Sequence, residues 1–178
     1  MTSLKSKKFI SMLLVLAMTL TLLPATVVFG ASYKSVEDFV ENLYVAGLGR
    51  QPDHRGFNYW VNELKKDRPA AEVIGFVLLD SEEFNEKYAD IPAKEFVKKA
   101  YEIVFGREAD EEGLKFWVDK MRKGASQRYV IVAMLEAPPY EFKEFCDKVG
   151  IKAGTLPVRA EERPGKEYVD EVAPEFVY

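Results

Sequence analysis

The chain has 178 residues and a formal net charge of −4 at pH 7. Its first 30 residues hold three lysines and no acid, so the rest of the chain carries a net charge of −7. A chain of this size can bury one core of its own, while its acidic balance disfavours nucleic acids and anionic surfaces as partners.

Cysteine and histidine each occur once, which restricts the chemistry that the chain can support. The single Cys146 argues against a disulfide scaffold and is predicted to be a small buried hydrophobe. An intermolecular disulfide or a reactive thiol is the alternative. The single His54 disfavours a histidine-based catalytic triad and a metal site with several histidines.

Residues 1–30 have the organisation of a secretory signal peptide. A basic start with three lysines precedes the apolar run Phe9–Leu23, and Pro24 and small residues follow it. The run is short for a membrane span. We therefore expect cleavage after Gly30 or Ala31 and a secreted, extracellular or cell-envelope protein. An uncleaved N-terminal anchor is the alternative.

Four helices are predicted in the first part of the remaining chain. The first begins at Ser35 in a sequence that resembles a capping box, and glycines at residues 47–49 end it. Its apolar residues recur at steps of three and four, which predicts one buried face. Asp53 is a natural N-cap for the second helix, Asp67 can cap a third, and Ser81 begins a short fourth.

The same plan then repeats at a constant offset of 57 residues. Leu48-Gly49-Arg50 recurs as Phe105-Gly106-Arg107, and the pairs that follow are Asp53 with Asp110, Gly56 with Gly113, Tyr59 with Phe116, and Trp60 with Trp117. Similarity at a fixed period marks a structural unit used twice. We place the two units at about residues 35–90 and 91–151.

No segment shows sustained strand alternation with hairpin signals. The predicted fold is all-α, a compact multi-helix domain of two tandem helical repeats without a β-sheet. In residues 152–178, glycines and prolines interrupt a run of mixed charge, which predicts an extended or disordered tail. The end of this tail, from Tyr168, is more apolar than a spacer requires, so docking on the domain or on a partner is the alternative.

The repeated residues predict a corner between two helices. In each copy, the first glycine can adopt the left-handed conformation that ends a helix, and the aspartate can cap the next helix. The second glycine falls in the first turn, where the missing side chain permits close approach of a neighbour. These residues are, in order, Gly49 and Gly106, Asp53 and Asp110, and Gly56 and Gly113.

The arginines and aromatic residues of the repeat have two possible roles each. We expect Arg50 and Arg107 to tie the free carbonyls of the preceding helix to the following aspartate, with ligand binding as the alternative. The tryptophans lie on the apolar stripes of their helices and are predicted core residues. Tyr59 and Phe116 lie about 100° further round the helix and are candidates for a sugar-stacking or partner-contact surface.

The repeat resembles the hallmark of the DUF4214 family, which reads Leu-Gly-Arg-x-x-Asp-x-x-Gly-x-x-Tyr-Trp. Both copies match it in register, and the resemblance covers about residues 35–151. The family's later Ser-x-Glu-Phe element is similar to Ser81-Glu82-Glu83-Phe84 and, in degraded form, to Pro139-Tyr140-Glu141-Phe142. The resemblance implies an all-helical module of exported and cell-envelope bacterial proteins, and it implies no established reaction. A weaker similarity to phycobilisome linker domains suggests scaffolding, by analogy only.

These observations predict a non-catalytic binding or scaffolding domain whose partner is an envelope protein or a cell-wall polysaccharide. A carbohydrate-binding module is the alternative, and a small envelope hydrolase with paired carboxylates is a third hypothesis. The acidic pairs Glu82-Glu83 and Glu111-Glu112 lie at helix starts, where compensation of the helix dipole explains them. We expect no cofactor, no metal and no membrane span after cleavage of the signal peptide. The sequence leaves the oligomeric state open.

Overall fold

The computed structural model describes residues 32–158, and within this range the chain forms eight helices and no strand. The predicted signal peptide and residues 159–178 of the predicted tail lie outside the described residues. The all-α prediction is confirmed. The helices are α1 (Val36–Asn42, continued as a π-helix over Leu43–Leu48), α2 (His54–Lys65), α3 (Ala70–Ile74, continued as a π-helix over Gly75–Leu79), α4 (Glu82–Tyr88), α5 (Ala93–Phe105), α6 (Glu111–Arg122), α7 (Gln127–Glu136) and α8 (Glu141–Val149).

The helices form two units with the same order of elements, α1–α4 and α5–α8. Helices α2 and α6, which follow the two repeated corners, both span 12 residues. The prediction of tandem helical repeats is therefore confirmed. The units differ in the π-helical continuations, which are found in α1 and α3 of the first unit while α5 and α7 are regular α-helices.

The core is shared, because each unit covers apolar residues of the other. Phe39 of α1 packs against Phe142 and Phe145 of α8, with ring centroids 6.1 and 5.4 Å apart. Tyr88 at the end of α4 packs edge-on against Phe96 of α5, 6.1 Å away. Burial of a phenylalanine side chain contributes about 1.5–3 kcal/mol, so these contacts between units hold the two repeats together as one body.

Side-chain caps explain where most of the helices begin. In each case a short polar side chain accepts a hydrogen bond from a backbone N–H of the first turn, which would otherwise lack a partner. The capping residues are Ser35, Asp53, Ser81, Asp110 and Ser126. The sequence placed helix starts at Ser35, Asp53, Ser81 and Asp110, and the structure confirms all four.

Asp67 does not cap α3, and that prediction was wrong. Asp67 lies just after α2 in the left-handed conformation, with a φ of 68°, where the second unit has Gly124 with a φ of 99°. Aspartate is among the few residues other than glycine that tolerate this conformation. The residue before α3 is Pro69, which offers no side-chain cap.

A segment from the other end of the domain caps α3 instead. The backbone N–H groups of Ala70 and Ala71 donate to the carbonyl oxygens of Lys152 and Ala153, at 2.8 and 2.9 Å. The side chain of Leu156 then lies over Gly75, close enough to touch a Cβ atom at that position. Residues 152–158, which we call the strap, are thus packed on the first unit.

The N-terminal end of the described chain makes a matching contact with the second unit. The hydroxyl of Tyr33 donates to the carbonyl oxygen of Ile103 at 2.6 Å, as the hydroxyl of Tyr88 donates to that of Ala46 at 3.0 Å. Cys146 occupies the place of Tyr88 in the second unit, and its buried side chain cannot make this bond. Tyr33 therefore supplies to the second unit what Tyr88 supplies to the first.

Within residues 32–158, no helix is both long and apolar enough to cross a membrane.

Candidate functional site

The repeated Gly-Arg motif forms the corner between the first and second helix of each unit. Gly49 and Gly106 follow α1 and α5 in the left-handed conformation, with φ values of 76° and 64°. A side chain is strained in this conformation, which explains the glycine at both corners.

The aspartates of the motif cap the next helix, as the sequence predicts. An Oδ1 atom of Asp53 accepts from the N–H of Gly56 at 2.9 Å, and that of Asp110 accepts from Gly113 at 2.8 Å. The hydrogen bond from Gly56 holds the pKa of Asp53 below its usual value, because it stabilises the carboxylate form.

The arginines reach across their unit to a glutamate at the start of its last helix. Nε and Nη2 of Arg50 lie 2.7 and 3.0 Å from the two carboxylate oxygens of Glu83. The same atoms of Arg107 lie 2.9 and 2.5 Å from those of Glu141. The geometry is bidentate in both units, which is the strongest arrangement for an arginine and a carboxylate.

These pairs change the predicted role of the arginines. We expected each arginine to bridge the preceding carbonyls and the following aspartate, but its main partner is a glutamate 33 or 34 residues away. Only Arg107 also contacts its aspartate, with 3.5 Å between Nη1 and an oxygen of Asp110. The hydrogen bonds that the arginines donate to these glutamates raise the pKa of both guanidinium groups.

Sequence reasoning therefore missed Glu83 and Glu141 as members of the repeated site. It explained Glu83 by the helix dipole and treated the second Ser-x-Glu-Phe copy as degraded. The available signal was that a Glu-Phe pair persists in both copies, as Glu83-Phe84 and Glu141-Phe142. Persistence of the glutamate without the serine indicates that the carboxylate, and not the cap, is needed in both units.

The two ion pairs differ in burial. The side chains of Arg50 and Glu83 are 47% and 42% exposed, whereas those of Arg107 and Glu141 are 17% and 3% exposed. Each guanidinium also lies over a tyrosine, Tyr44 in the first unit and Tyr101 in the second. Removal of one partner is therefore far more costly in the second unit, where the remaining charge cannot be solvated.

The second glycine of the motif makes room for that tyrosine. A Cβ atom at Gly113 would lie 1.9 Å from the hydroxyl oxygen of Tyr101. At Gly56 the corresponding distance to the hydroxyl oxygen of Tyr44 is 3.1 Å. The predicted close approach is thus made by a tyrosine of the first helix of the same unit, and it is tighter in the second unit.

The predicted core tryptophans do not have the same environment. Trp117 is buried, with 4% of its surface exposed, whereas Trp60 is only partly buried and packs at the edge of the core. Trp60 stacks on Phe76 of α3, which is itself 57% exposed. The prediction that Trp60 is a core residue therefore needs this correction.

Three rings of the first unit form an exposed cluster that we call the aromatic surface. Tyr59 is 51% exposed and packs edge-on against Trp60, with centroids 4.8 Å apart. Trp60 and Phe76 lie nearly parallel, with an angle of 20° between ring planes and centroids 6.1 Å apart. Arg68 lies over Phe76 and pairs with Glu63 and Glu72.

Phe76 belongs to the apolar residues of α3, yet its ring is exposed. Its counterpart in the second unit, Ala133, is also only partly buried, so this position lies at the edge of the buried face in both units. A methyl group at such an edge is largely covered, but an aromatic ring extends into solvent.

Phe116, the other predicted stacking residue, is in different surroundings. It is partly buried, it packs edge-on against Trp117 at 5.0 Å, and the Nζ atom of Lys120 lies 4.7 Å from its ring centroid. Burial lowers the pKa of Lys120. The structure thus places Tyr59 and Phe116 in separate environments, and only Tyr59 belongs to a broad exposed aromatic cluster.

Phe116 instead lines a cleft of about 550 Å³ in the second unit. We call this the second-unit cleft. Trp117, Pro138 and Pro139 contribute apolar walls, and the Arg107–Glu141 pair lies among its lining residues together with Asp110. Six residues of the predicted motif therefore meet around one cleft, namely Phe105, Arg107, Asp110, Gly113, Phe116 and Trp117.

Over the part of the chain that the structure describes, no group of three or more histidine, cysteine, aspartate or glutamate side chains is arranged to hold a metal ion. Cys146 is buried, as predicted, and burial raises the pKa of its thiol to about 12.

A protein-family model described as "Domain of unknown function (DUF4214)" matches residues 26–78 and again residues 76–146. Each match contains one of the two repeated corners. Neither the curated proteins nor the solved structures gave a match.

Proposed function

Because the chain belongs to the DUF4214 family, whose description assigns no activity, we propose a function from its own geometry: it is a non-catalytic binding domain of the cell envelope or of the extracellular space. The signal-peptide pattern of residues 1–30 supports the location.

The aromatic surface is the observation that carries this proposal. Folded domains bury large rings where they can, and an exposed group of them rimmed by polar residues is typical of interaction sites. Here Tyr59 and Phe76 are both more than half exposed, and Trp60 joins them to the core. Rings held in this way lose little conformational freedom when a partner binds.

The arrangement of the carboxylates supports a role without catalysis. In the second-unit cleft, both oxygens of Glu141 are hydrogen-bonded to Arg107, and Asp110 is engaged as a helix cap. A glycosidase needs one carboxyl group to donate a proton and another to act as nucleophile or base. Carboxylates engaged in the fold are poorly suited to either task, and Glu112, the third carboxylate of the cleft, cannot perform both alone.

A polysaccharide is one class of ligand that the aromatic surface suits. The nearly parallel rings of Trp60 and Phe76 offer a flat apolar platform for the C–H face of a sugar. The charged groups of Arg68, Glu63 and Glu72 beside them can donate to and accept from hydroxyl groups. An envelope protein is the other class, for which the same rings would act as anchors.

The test uses the chain from residue 31 to residue 178. It is sedimented with cell-wall sacculi stripped of protein, and separately used to capture proteins from solubilised envelopes. The double variant Tyr59→Ala/Phe76→Ala should lose the interaction and still fold, because both side chains are exposed. Retention on stripped walls identifies a polysaccharide, and stoichiometric capture of a protein identifies a scaffold.

The control is Val45→Ala, which shortens an exposed apolar side chain of α1. Binding should survive this change. Binding that is equally strong in the double variant would show that the aromatic surface is not the contact face, and no binding in either assay would remove the proposal.

A further inference from the structure

We propose that the second-unit cleft is a separate site, which binds a lysine or arginine side chain of a partner polypeptide. The inference rests on the shape, the walls and the charge of the cleft, and it does not depend on the aromatic surface.

The walls of the cleft suit the apolar stem of a long basic side chain. Phe116, Pro138 and Pro139 offer apolar surface to a ligand, with Trp117 behind them. Lysine and arginine bury their methylene groups against such surfaces while their charged ends reach polar groups. The volume of about 550 Å³ is within the range of ligand pockets and exceeds what one side chain needs, so flanking residues of a polypeptide can enter as well.

The charge of the lining favours a cation. Three carboxylates, those of Asp110, Glu112 and Glu141, face one guanidinium, that of Arg107. Arg107 and Glu141 largely neutralise each other, because they are bonded through both pairs of atoms. Asp110 and Glu112 together outweigh the ammonium of Lys120, which lies 4.7 Å from the ring centroid of Phe116, so the cleft keeps a net negative charge, to which a positively charged group is complementary.

Glu112 is the group available to a ligand. It lies exposed in the first turn of α6, and its side chain takes part in none of the hydrogen bonds or ion pairs found among residues 32–158. A basic side chain lying along the apolar wall of the cleft would be attracted to the Glu112 carboxylate.

The first unit provides the internal comparison. Where the second unit has Glu112, the first has Arg55, so the four corresponding residues there are two arginines and two acids. A cation gains no net attraction from a balanced set of charges. The preference for a basic ligand is therefore a property of the second unit, although both units share the same corner.

Fluorescence of Trp117 can report occupation of the cleft. Trp60→Phe removes the signal of the other tryptophan and leaves Trp117 as the only one. The probes are three peptides of one length, acetyl-Leu-Lys-Leu-amide, the same peptide with norleucine in place of lysine, and the same peptide with glutamate. They are titrated into the chain of residues 31–178 at low and high salt.

We expect the lysine peptide to bind, the norleucine peptide to bind less tightly, and the glutamate peptide to bind least. Salt should weaken binding of the lysine peptide only. Glu112→Gln should lower the affinity for the lysine peptide by about 2- to 5-fold, the range for a partly exposed ion pair. The matched variant Arg55→Gln in the first unit should leave that affinity unchanged.

Equal binding of the lysine and norleucine peptides would overturn the proposal, as would an affinity that Glu112→Gln does not change or an absence of binding. The tail of the chain also contains basic residues, namely Arg159, Arg163 and Lys166. If peptide binding is seen only when these three are replaced by glutamine, the chain's own tail occupies the cleft and the assignment to a partner is wrong.

Discussion

Asp110 connects the two functions of the corner at the level of a single side chain. It caps α6 through Gly113, and it also lies 3.5 Å from the guanidinium of Arg107. We predict that Asp110→Ala lowers the free energy of unfolding by about 1 kcal/mol, the usual value of a lost N-cap. Asp110→Asn should cost much less, because asparagine is an equally good cap. Urea denaturation of both variants measures this, and equal losses would contradict the capping role.

Gly56 and Gly113 permit a second comparison of single residues. Alanine normally stabilises a helix relative to glycine by about 0.5–1 kcal/mol. At Gly113 the added methyl group would lie 1.9 Å from the hydroxyl oxygen of Tyr101, so Gly113→Ala should instead destabilise by about 1–3 kcal/mol. At Gly56 the nearest atoms are 3.1 Å away, so Gly56→Ala should have a smaller effect.

Thermal unfolding of the two glycine variants tests this difference. Addition of Tyr101→Phe to Gly113→Ala should recover part of the loss, because it removes the hydroxyl oxygen that the methyl group would meet. If Gly113→Ala is no less stable than Gly56→Ala, close approach by the tyrosine does not explain the glycine.

At the scale of the elements, an ion pair joins the repeated corner of each unit to the last helix of that unit. We predict that Glu141→Gln costs about 3 kcal/mol, because it removes the main counter-charge of the largely buried Arg107 guanidinium. Glu83→Gln should cost at most about 1 kcal/mol, because its pair with Arg50 is exposed to water. Denaturant midpoints with unchanged slopes provide the measurement.

A double variant separates the two possible causes of the larger loss. Arg107→Met/Glu141→Leu removes both charges and keeps most of the side-chain volume, so it should recover much of the stability that Glu141→Gln loses. If the double variant is as unstable as the single one, the loss comes from packing and not from an unpaired charge.

The two tryptophans differ in burial, so their replacement should cost different amounts of stability in α2 and α6. Trp117→Ala should lower the free energy of unfolding by about 3–5 kcal/mol, because only 4% of the residue's surface is exposed to solvent. Trp60→Ala should cost clearly less, because part of that ring faces solvent. Chemical denaturation of the two variants, followed by circular dichroism, tests the order. Equal losses would show that Trp60 is as much a core residue as Trp117.

At the scale of the whole molecule, both ends of the described chain pack against the helical domain. The strap caps α3 of the first unit, and Tyr33 caps the carbonyl end of α5 in the second. Each end therefore stabilises the unit that is distant from it in sequence. This arrangement adds to the shared core in making the two repeats one cooperative body.

Gly154 of the strap offers a test of this closure. Gly154→Ala should destabilise the fold, because a Cβ atom there would lie 2.3 Å from Cβ of Pro69 and push the strap off α3. Gly150→Ala is the matched control, since Gly150 is also left-handed but has open space around it. Both variants bear the backbone cost of about 1–2 kcal/mol, and only Gly154→Ala should lose more. Similar thermal midpoints would show that the strap does not contribute.

Much of the candidate site could be predicted because its parts are local. A helix cap, a left-handed glycine and an apolar stripe each depend on residues within a few positions of one another. Asp53, Gly49 and their counterparts were therefore recognised from sequence. Asp67 was misplaced because the same short polar side chain can cap a helix or adopt the left-handed conformation after one, and the local sequence does not distinguish the two.

By itself, the sequence determined the eight helices, their order, the repeated corners and the family, since all of these follow from local signals that occur twice at one spacing. Only the tertiary structure decided the partners of Arg50 and Arg107, the capping of α3 by the strap, the exposure of the aromatic surface and the presence of a cleft in the second unit. The reason is physical: these features depend on contacts between residues far apart in the chain, and the energy of such contacts is set by packing that no local pattern records.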